Sequence, residues 1–121
     1  MTQQDAYLDA RVLTASPRQL HLMVVNGALR HCMAAGDAID RGDREAKAVA
    51  LGEARKHVAE LLGGLSEAED DFLDNLRALF KYALRQLLLA DARDDAKAVE
   101  DAALVLERHR ETWAEVMESA A

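Results

Sequence analysis

Four histidines and a single cysteine are the side chains of this chain best suited to chemistry near neutral pH. His21, His31, His57 and His109 fall on separate stretches, without the short intervals that bring imidazoles to one metal ion. A carboxylate-bridged dimetal bundle uses paired Glu-x-x-His motifs. Here Glu53 precedes His57 by four residues and Glu107 precedes His109 by two, so neither fits. Each histidine therefore reads as a solvated or packing group, with His109 a hydrogen-bonded core residue. Cys32 has no basic run or helix-capping position to lower its pKa and reads as a small apolar filler. A lone cysteine excludes an internal disulfide and a multi-cysteine zinc site. Gly63-Gly64 stops a helix rather than opening a phosphate loop. No enzymatic activity, catalytic residue, metal or cofactor is expected. A histidine phosphotransfer domain is also a four-helix bundle, but it places a lysine and a small residue beside the reactive histidine. The nearest candidate, His57-Val-Ala-Glu60, puts an acid where positive charge is wanted.

Composition narrows the class further. The 121 residues suit a single domain, residues 1–121, and half of them are hydrophobic, enough for a core. Alanine and leucine dominate, aromatics are only 4% and β-branched residues are sparse, which favours helix over sheet. A formal net charge of −7 argues against nucleic acid as a partner, because phosphate contacts need a basic face. No apolar run approaches the roughly 20 residues that span a bilayer, so no membrane insertion is expected. The start, Met1-Thr-Gln-Gln-Asp5, lacks the basic and apolar regions of a secretory signal. A soluble cytoplasmic (cytosolic) domain is the expectation.

The elements that must position any site are punctuated clearly. Ser16-Pro17 reads as an N-cap and first helical residue, opening a helix over about 17–40 that Gly42 can end in a left-handed turn. Asp43 caps a second helix, about 44–62, stopped by Gly63-Gly64. Ser66 or the acids after it begin a third, about 67–90, and a fourth runs over about 95–118. Short connections make this an all-α, antiparallel four-helix bundle, preceded by an N-terminal arm or cap helix in residues 1–15.

Periodicity assigns the faces. Val99, Ala102, Leu106, His109, Trp113 and Val116 form one seam of helix four. Leu51, Ala54, Val58, Leu61 and Leu65 form one along helix two. Both stripes are narrow and need one buried side. Helices one and three carry more. Phe72, Leu73, Leu76, Leu79, Phe80, Ala83, Leu84, Leu87 and Leu88 cover about half the circumference of the third at 100° per residue. In the first, Leu20, Val24, Ala28, Ala35 and Ile39 make one stripe, and Leu22, Leu29 and Met33 a second. Two readings fit: these helices sit centrally and touch two neighbours each, or one apolar edge stays open as a groove for another chain. In the arm, Tyr7, Leu8, Val12 and Leu13 share a face if residues 6–13 are helical. A helix that short must dock on something, either as a fixed cap or as a movable segment resting in a partner's site.

A resemblance sharpens the second reading. Tyr7-Leu8, Val12-Leu13-Thr14-Ala15-Ser16-Pro17, Leu20, Met23 and Gly27-Ala28-Leu29 resemble the opening of the flagellar secretion chaperone (FliS) family. The similarity continues through Leu76-x-x-Leu79-Phe80-x-Tyr82 and Leu87, and closes with Leu106 and Arg110-Glu-Thr-Trp113. The chain departs from the family at Val25-Asn26, where a Tyr-Asp pair is common, and at Phe80, where tyrosine is common. The resemblance implies a cytoplasmic export chaperone whose partner is the disordered C-terminal segment of flagellin. Covering that segment would delay polymerisation and keep the subunit competent for type III export. It further implies an arm that gates a hydrophobic groove, giving Tyr7, Leu8, Val12 and Leu13 that role. The groove residues then expected are Leu73, Leu84 and Leu88 on helix three, with Leu51 and Val58 opposite. Flagellar export-gate components and a second copy of this chain (a homodimer) are the other candidate partners.

Overall fold

The computed structural model describes residues 2–6 and 16–119. Four long helices dominate it: α1 (Pro17–Arg41), α2 (Arg44–Gly63), α3 (Asp71–Arg93) and α4 (Ala96–Ser119). Each start has a local chemical cause. Ser16 Oγ accepts from the Gln19 backbone N–H while the Gln19 side chain accepts from the Ser16 N–H, a reciprocal capping box with Pro17 behind it. Asp43, Asp70 and Asp95 cap α2, α3 and α4 in turn, each carboxylate accepting from backbone N–H groups of its first turn.

The ends are equally local. Gly42 adopts φ 69°, and the N–H groups of Gly42 and Asp43 donate to the carbonyls of Ile39 and Ala38, a Schellman closure. Asp94 takes the same left-handed role after α3 at φ 51°, with the Asp95 N–H reaching the carbonyl of Ala90. Both turns reverse the chain within two residues and force neighbouring helices antiparallel. The α2–α3 connection is longer, because α3 begins at Asp71 rather than near 67. Residues 66–70 fold back over its first turns, where the Arg77 guanidinium donates to the carbonyls of Ser66 and Ala68.

The helices form a closed ring in which α1 packs on α2, α2 on α3, α3 on α4, and α4 on α1. Every helix therefore has two neighbours, which corrects the expectation that α2 and α4 need only one buried side. Small residues make this possible: Ala50, Ala54, Ala98 and Ala102 let narrow stripes approach two helices at once. The centre is filled by Phe80, Leu51, Leu87, Leu106, Val25, Val58 and Cys32. The seam of α4 is buried only as far as His109; Trp113 is half-buried and Val116 exposed. Ahead of the bundle, residues 3–6 form a helical turn, with Thr2 and Asp5 capping each other through backbone and side chain. Beyond Ala6, the expected 6–13 segment lies outside the described residues. Among the described residues no helix is long and apolar enough to cross a membrane.

Candidate functional site

On α3, Leu73, Arg77, Phe80, Leu84, Leu88 and Asp91 recur at spacings of three and four, so they share one face. The partners of Asp91 fix where that face points: its carboxylate meets Lys47 Nζ at 3.6 Å and Arg55 Nη1 at 3.4 Å, both on α2. The strip therefore runs along the α2 side of α3. Phe80 is wholly enclosed, Leu73 and Leu84 are half-buried, and Leu88 is 55% exposed. Leu84 packs on the core while keeping an edge in solvent. Leucine edges broken by Arg77, whose guanidinium is engaged with Ser66, Ala68 and Asp74, and ended by Asp91 with Lys47 and Arg55 suit the apolar face of an extended or helical peptide.

The opposite wall is not as expected. Leu51 and Val58 are both at 0% exposure inside the core and are not available to a ligand. The cause is the ring packing: α2 has one narrow apolar stripe, and contact with both α1 and α3 turns all of it inward. Surface residues of α2 beside the strip are instead Arg55 and Leu62, both half-buried. The expected arm residues Tyr7, Leu8, Val12 and Leu13 lie outside the described residues.

Further apolar surface is scattered. Met33 on α1 is 71% exposed beside a shallow groove between α1 and α4 that includes Gly36, Val99 and Ala103. Leu104 lies on the outer face of α4, and Phe72 at the start of α3 is also open. The second stripe of α1 thus divides: Leu29 is buried, Leu22 half-buried and Met33 exposed. More apolar side chain is present than the ring encloses.

The histidines are not isolated, contrary to the reading from spacing. Helix packing brings them together as two pairs from different helices. His21 on α1 and His109 on α4 approach to 2.7 Å between Nε2 atoms, within an aromatic cluster with Phe80 and Trp113. Burial, then the neighbouring His21, pushes His109 down to about 4, and burial also lowers His21. The expectation of a hydrogen-bonded core histidine holds for His109. His31 on α1 and His57 on α2 form the second pair, with ring centroids 5.0 Å apart. No signal in sequence spacing could reveal either pair, because both depend on which helices become neighbours. Cys32 is buried and its thiol is pushed up to about 12, first by burial and then by Glu107, so it is inert filler.

The two departures noted above are structurally closed. Val25 and Phe80 are fully enclosed, Phe80 against the rings of His21 and His109, so a hydroxyl at either site would need a partner inside the bundle. Asn26 still accepts from Arg110 Nη1 at 3.3 Å, a bond made without the carboxylate charge. Trp113 Nε1 donates to the Arg18 carbonyl at 3.1 Å, tying the end of α4 to the start of α1.

The described residues define an all-α helical-bundle protein with apolar side chains left open on α3. Its sequence matches the family model of the flagellar protein FliS over residues 1–120, and the chain belongs to that family. It is 32% identical to the flagellar secretion chaperone FliS of Salmonella typhimurium (strain LT2), over 90% of this chain and 82% of that one. It is 29% identical to the protein of the same name from Escherichia coli (strain K12), over 89% and 81% of the two chains. With that of Bacillus subtilis (strain 168) the identity is 28%, over 94% and 85%.

Proposed function

We propose that this chain is a cytosolic flagellar secretion chaperone that holds the disordered C-terminal segment of flagellin. In this role it prevents premature polymerisation and presents the subunit for type III export. Family membership across nearly the whole chain is the observation that carries the reading. Apolar surface left open by the bundle supports it, because such surface is what an amphipathic segment needs. Burying the exposed part of Leu88 alone contributes about 1 kcal/mol, and a strip of several such side chains suffices for a specific complex. Leu73, Leu84 and Leu88 form the docking strip, and Tyr7, Leu8, Val12 and Leu13 tune access to it.

The test is titration of a flagellin C-terminal peptide into the wild-type chain and into Leu88→Asp. Leu88 is exposed, so the variant keeps its helicity and melting temperature while affinity falls at least about tenfold, the 1.4 kcal/mol expected for placing a charge in an apolar contact. Unchanged affinity in a folded Leu88→Asp removes the strip from the site. A chain that binds no peptide but doubles its solution mass through the same face is instead a self-associating bundle.

A further inference from the structure

We propose that His31, Glu53 and His57 form a binding site for a divalent transition-metal ion of the zinc class, bridging α1 and α2. This site lies apart from the α3 strip and has no part in the chaperone reading. One donor atom from each residue lies within 4.8 Å of the other two, and all three side chains are half-buried in the seam between the helices. Two imidazoles and one carboxylate suit Zn²⁺ and its neighbours Co²⁺ and Ni²⁺, whereas Ca²⁺ and Mg²⁺ prefer oxygen donors alone.

The local structure prepares one donor already. Glu53 and His57 are four residues apart on α2 and share a face. His57 Nδ1 is 2.7 Å from the backbone carbonyl of Glu53; a carbonyl only accepts, so Nδ1 carries the hydrogen and Nε2 keeps the lone pair a metal requires. Gly27 is what lets the ring lie against α1: a Cβ there would stand 2.6 Å from Cδ2 and 2.8 Å from Nε2 of His57. The Nε2 end of the imidazole is thereby held one turn from His31.

Closure to a coordination shell is a small step. Ligands on a tetrahedral zinc, with bonds near 2.0–2.1 Å, stand about 3.3 Å from one another. The cluster must contract by at most roughly 1.5 Å, a distance on the scale of side-chain rotation. The Arg30 guanidinium approaches the same turn, 3.6 Å from the position a Cβ on Gly27 would take, and its charge opposes a bound cation. Three protein donors leave a fourth position for water. Such an ion clamps α1 to α2 without touching the apolar strip.

The experiment titrates the full-length chain, stripped of metal, with Co²⁺ and separately with Zn²⁺. The expected result is one ion per chain, the intense visible bands of tetrahedral cobalt, and a rise in melting temperature with zinc. His31→Gln and Glu53→Gln each remove a ligand and are expected to weaken binding by at least the about 10–100-fold that loss of an outer-shell partner costs, while Cys32→Ser and His21→Gln bind as the wild type does. His57→Gln is expected to lose binding too, but because its ring packs on Gly27, the His31→Gln variant is decisive. Helicity and metal-free melting temperature show that each variant is folded. The proposal is overturned by wild-type affinity in His31→Gln, by an octahedral cobalt spectrum insensitive to these substitutions, or by the absence of any bound ion at millimolar metal.

Discussion

His21 of α1 and His109 of α4 share one short hydrogen bond between their Nε2 atoms, 2.7 Å apart, at the end of the bundle where α1 begins. The bond needs one ring protonated at Nε2 and the other carrying its lone pair there, and burial, which lowers both pKa values, keeps the pair neutral near pH 7. Phe80 packs edge-on against His109 with centroids 5.2 Å apart, and Trp113 lies tilted at 40° against His21 with centroids 4.2 Å apart. The pair ties α1 to α4 through one polar contact, and α3 joins it through the ring of Phe80.

Acid should therefore loosen this fold before its carboxylates titrate. Burial holds His109 at about 4 in the folded chain against an ordinary 6.5, with His21 and His31 lowered in the same direction. The unfolded chain then binds more protons throughout that interval, so stability is complete above pH 6.5 and is lost as pH falls toward 4. His109 contributes up to roughly 3 kcal/mol to that loss, at 1.36 kcal/mol per unit. Urea denaturation at pH 7.5 and pH 5 is expected to show the drop in wild type and a smaller one in His109→Phe. Equal drops in both would place the acid sensitivity elsewhere.

Phe80 is the largest side chain fully enclosed, and it touches the histidine pair as well as the apolar core. Phe80→Ala leaves a cavity at the centre of a ring in which each helix is held by two neighbours, so a loss of about 3–5 kcal/mol is expected. Phe80→Tyr tests the same site differently, since its hydroxyl must find a partner where the core offers few. Chemical denaturation measures both, and a loss below about 1 kcal/mol for Phe80→Ala would mean that the site collapses around the gap.

Caps and stripes were legible in the sequence because their causes are local. Ser16-Pro17, Asp43 and Gly42 act within one turn, and the 3.6-residue period identifies Leu51, Val58, Phe80 and Leu87 as apolar faces. What periodicity does not carry is how much of a stripe the neighbours consume. Leu51 and Val58 look as available as Leu84 and Leu88 until α2 is seen packed on both α1 and α3. The histidine pairs were hidden for the same reason: His21 and His109 are 88 residues apart and meet only because α4 closes the ring on α1. The late start of α3 reflects a tertiary bond, Arg77 holding residues 66–70 out of the helix against their acidic first-turn signal.

Gly42 occupies a left-handed conformation at φ 69°, with open space where a Cβ would lie. Gly42→Ala therefore meets no clash, and its cost is backbone strain alone, about 1–2 kcal/mol. Gly36, on the same helix and equally open but with ordinary helical φ, provides the control: Gly36→Ala is expected to stabilise by about 0.5–1 kcal/mol. Thermal melts of the two variants should move in opposite directions, and a common direction would contradict the strain argument.

Removing residues 1–13 tests the gating role assigned to Tyr7, Leu8, Val12 and Leu13. The deletion spares the Ser16–Gln19 capping box, so α1 keeps its start and the bundle its ring. If the arm occupies the strip for part of the time, apparent affinity for a flagellin peptide is reduced by the fraction of molecules with the strip open. Deletion then raises affinity chiefly through faster association, and adding back a peptide of residues 1–13 competes with flagellin. Stopped-flow association rates measure the effect directly. Identical on- and off-rates for the shortened and full chains would remove the arm from the binding mechanism and leave the exposed strip of α3 to act alone.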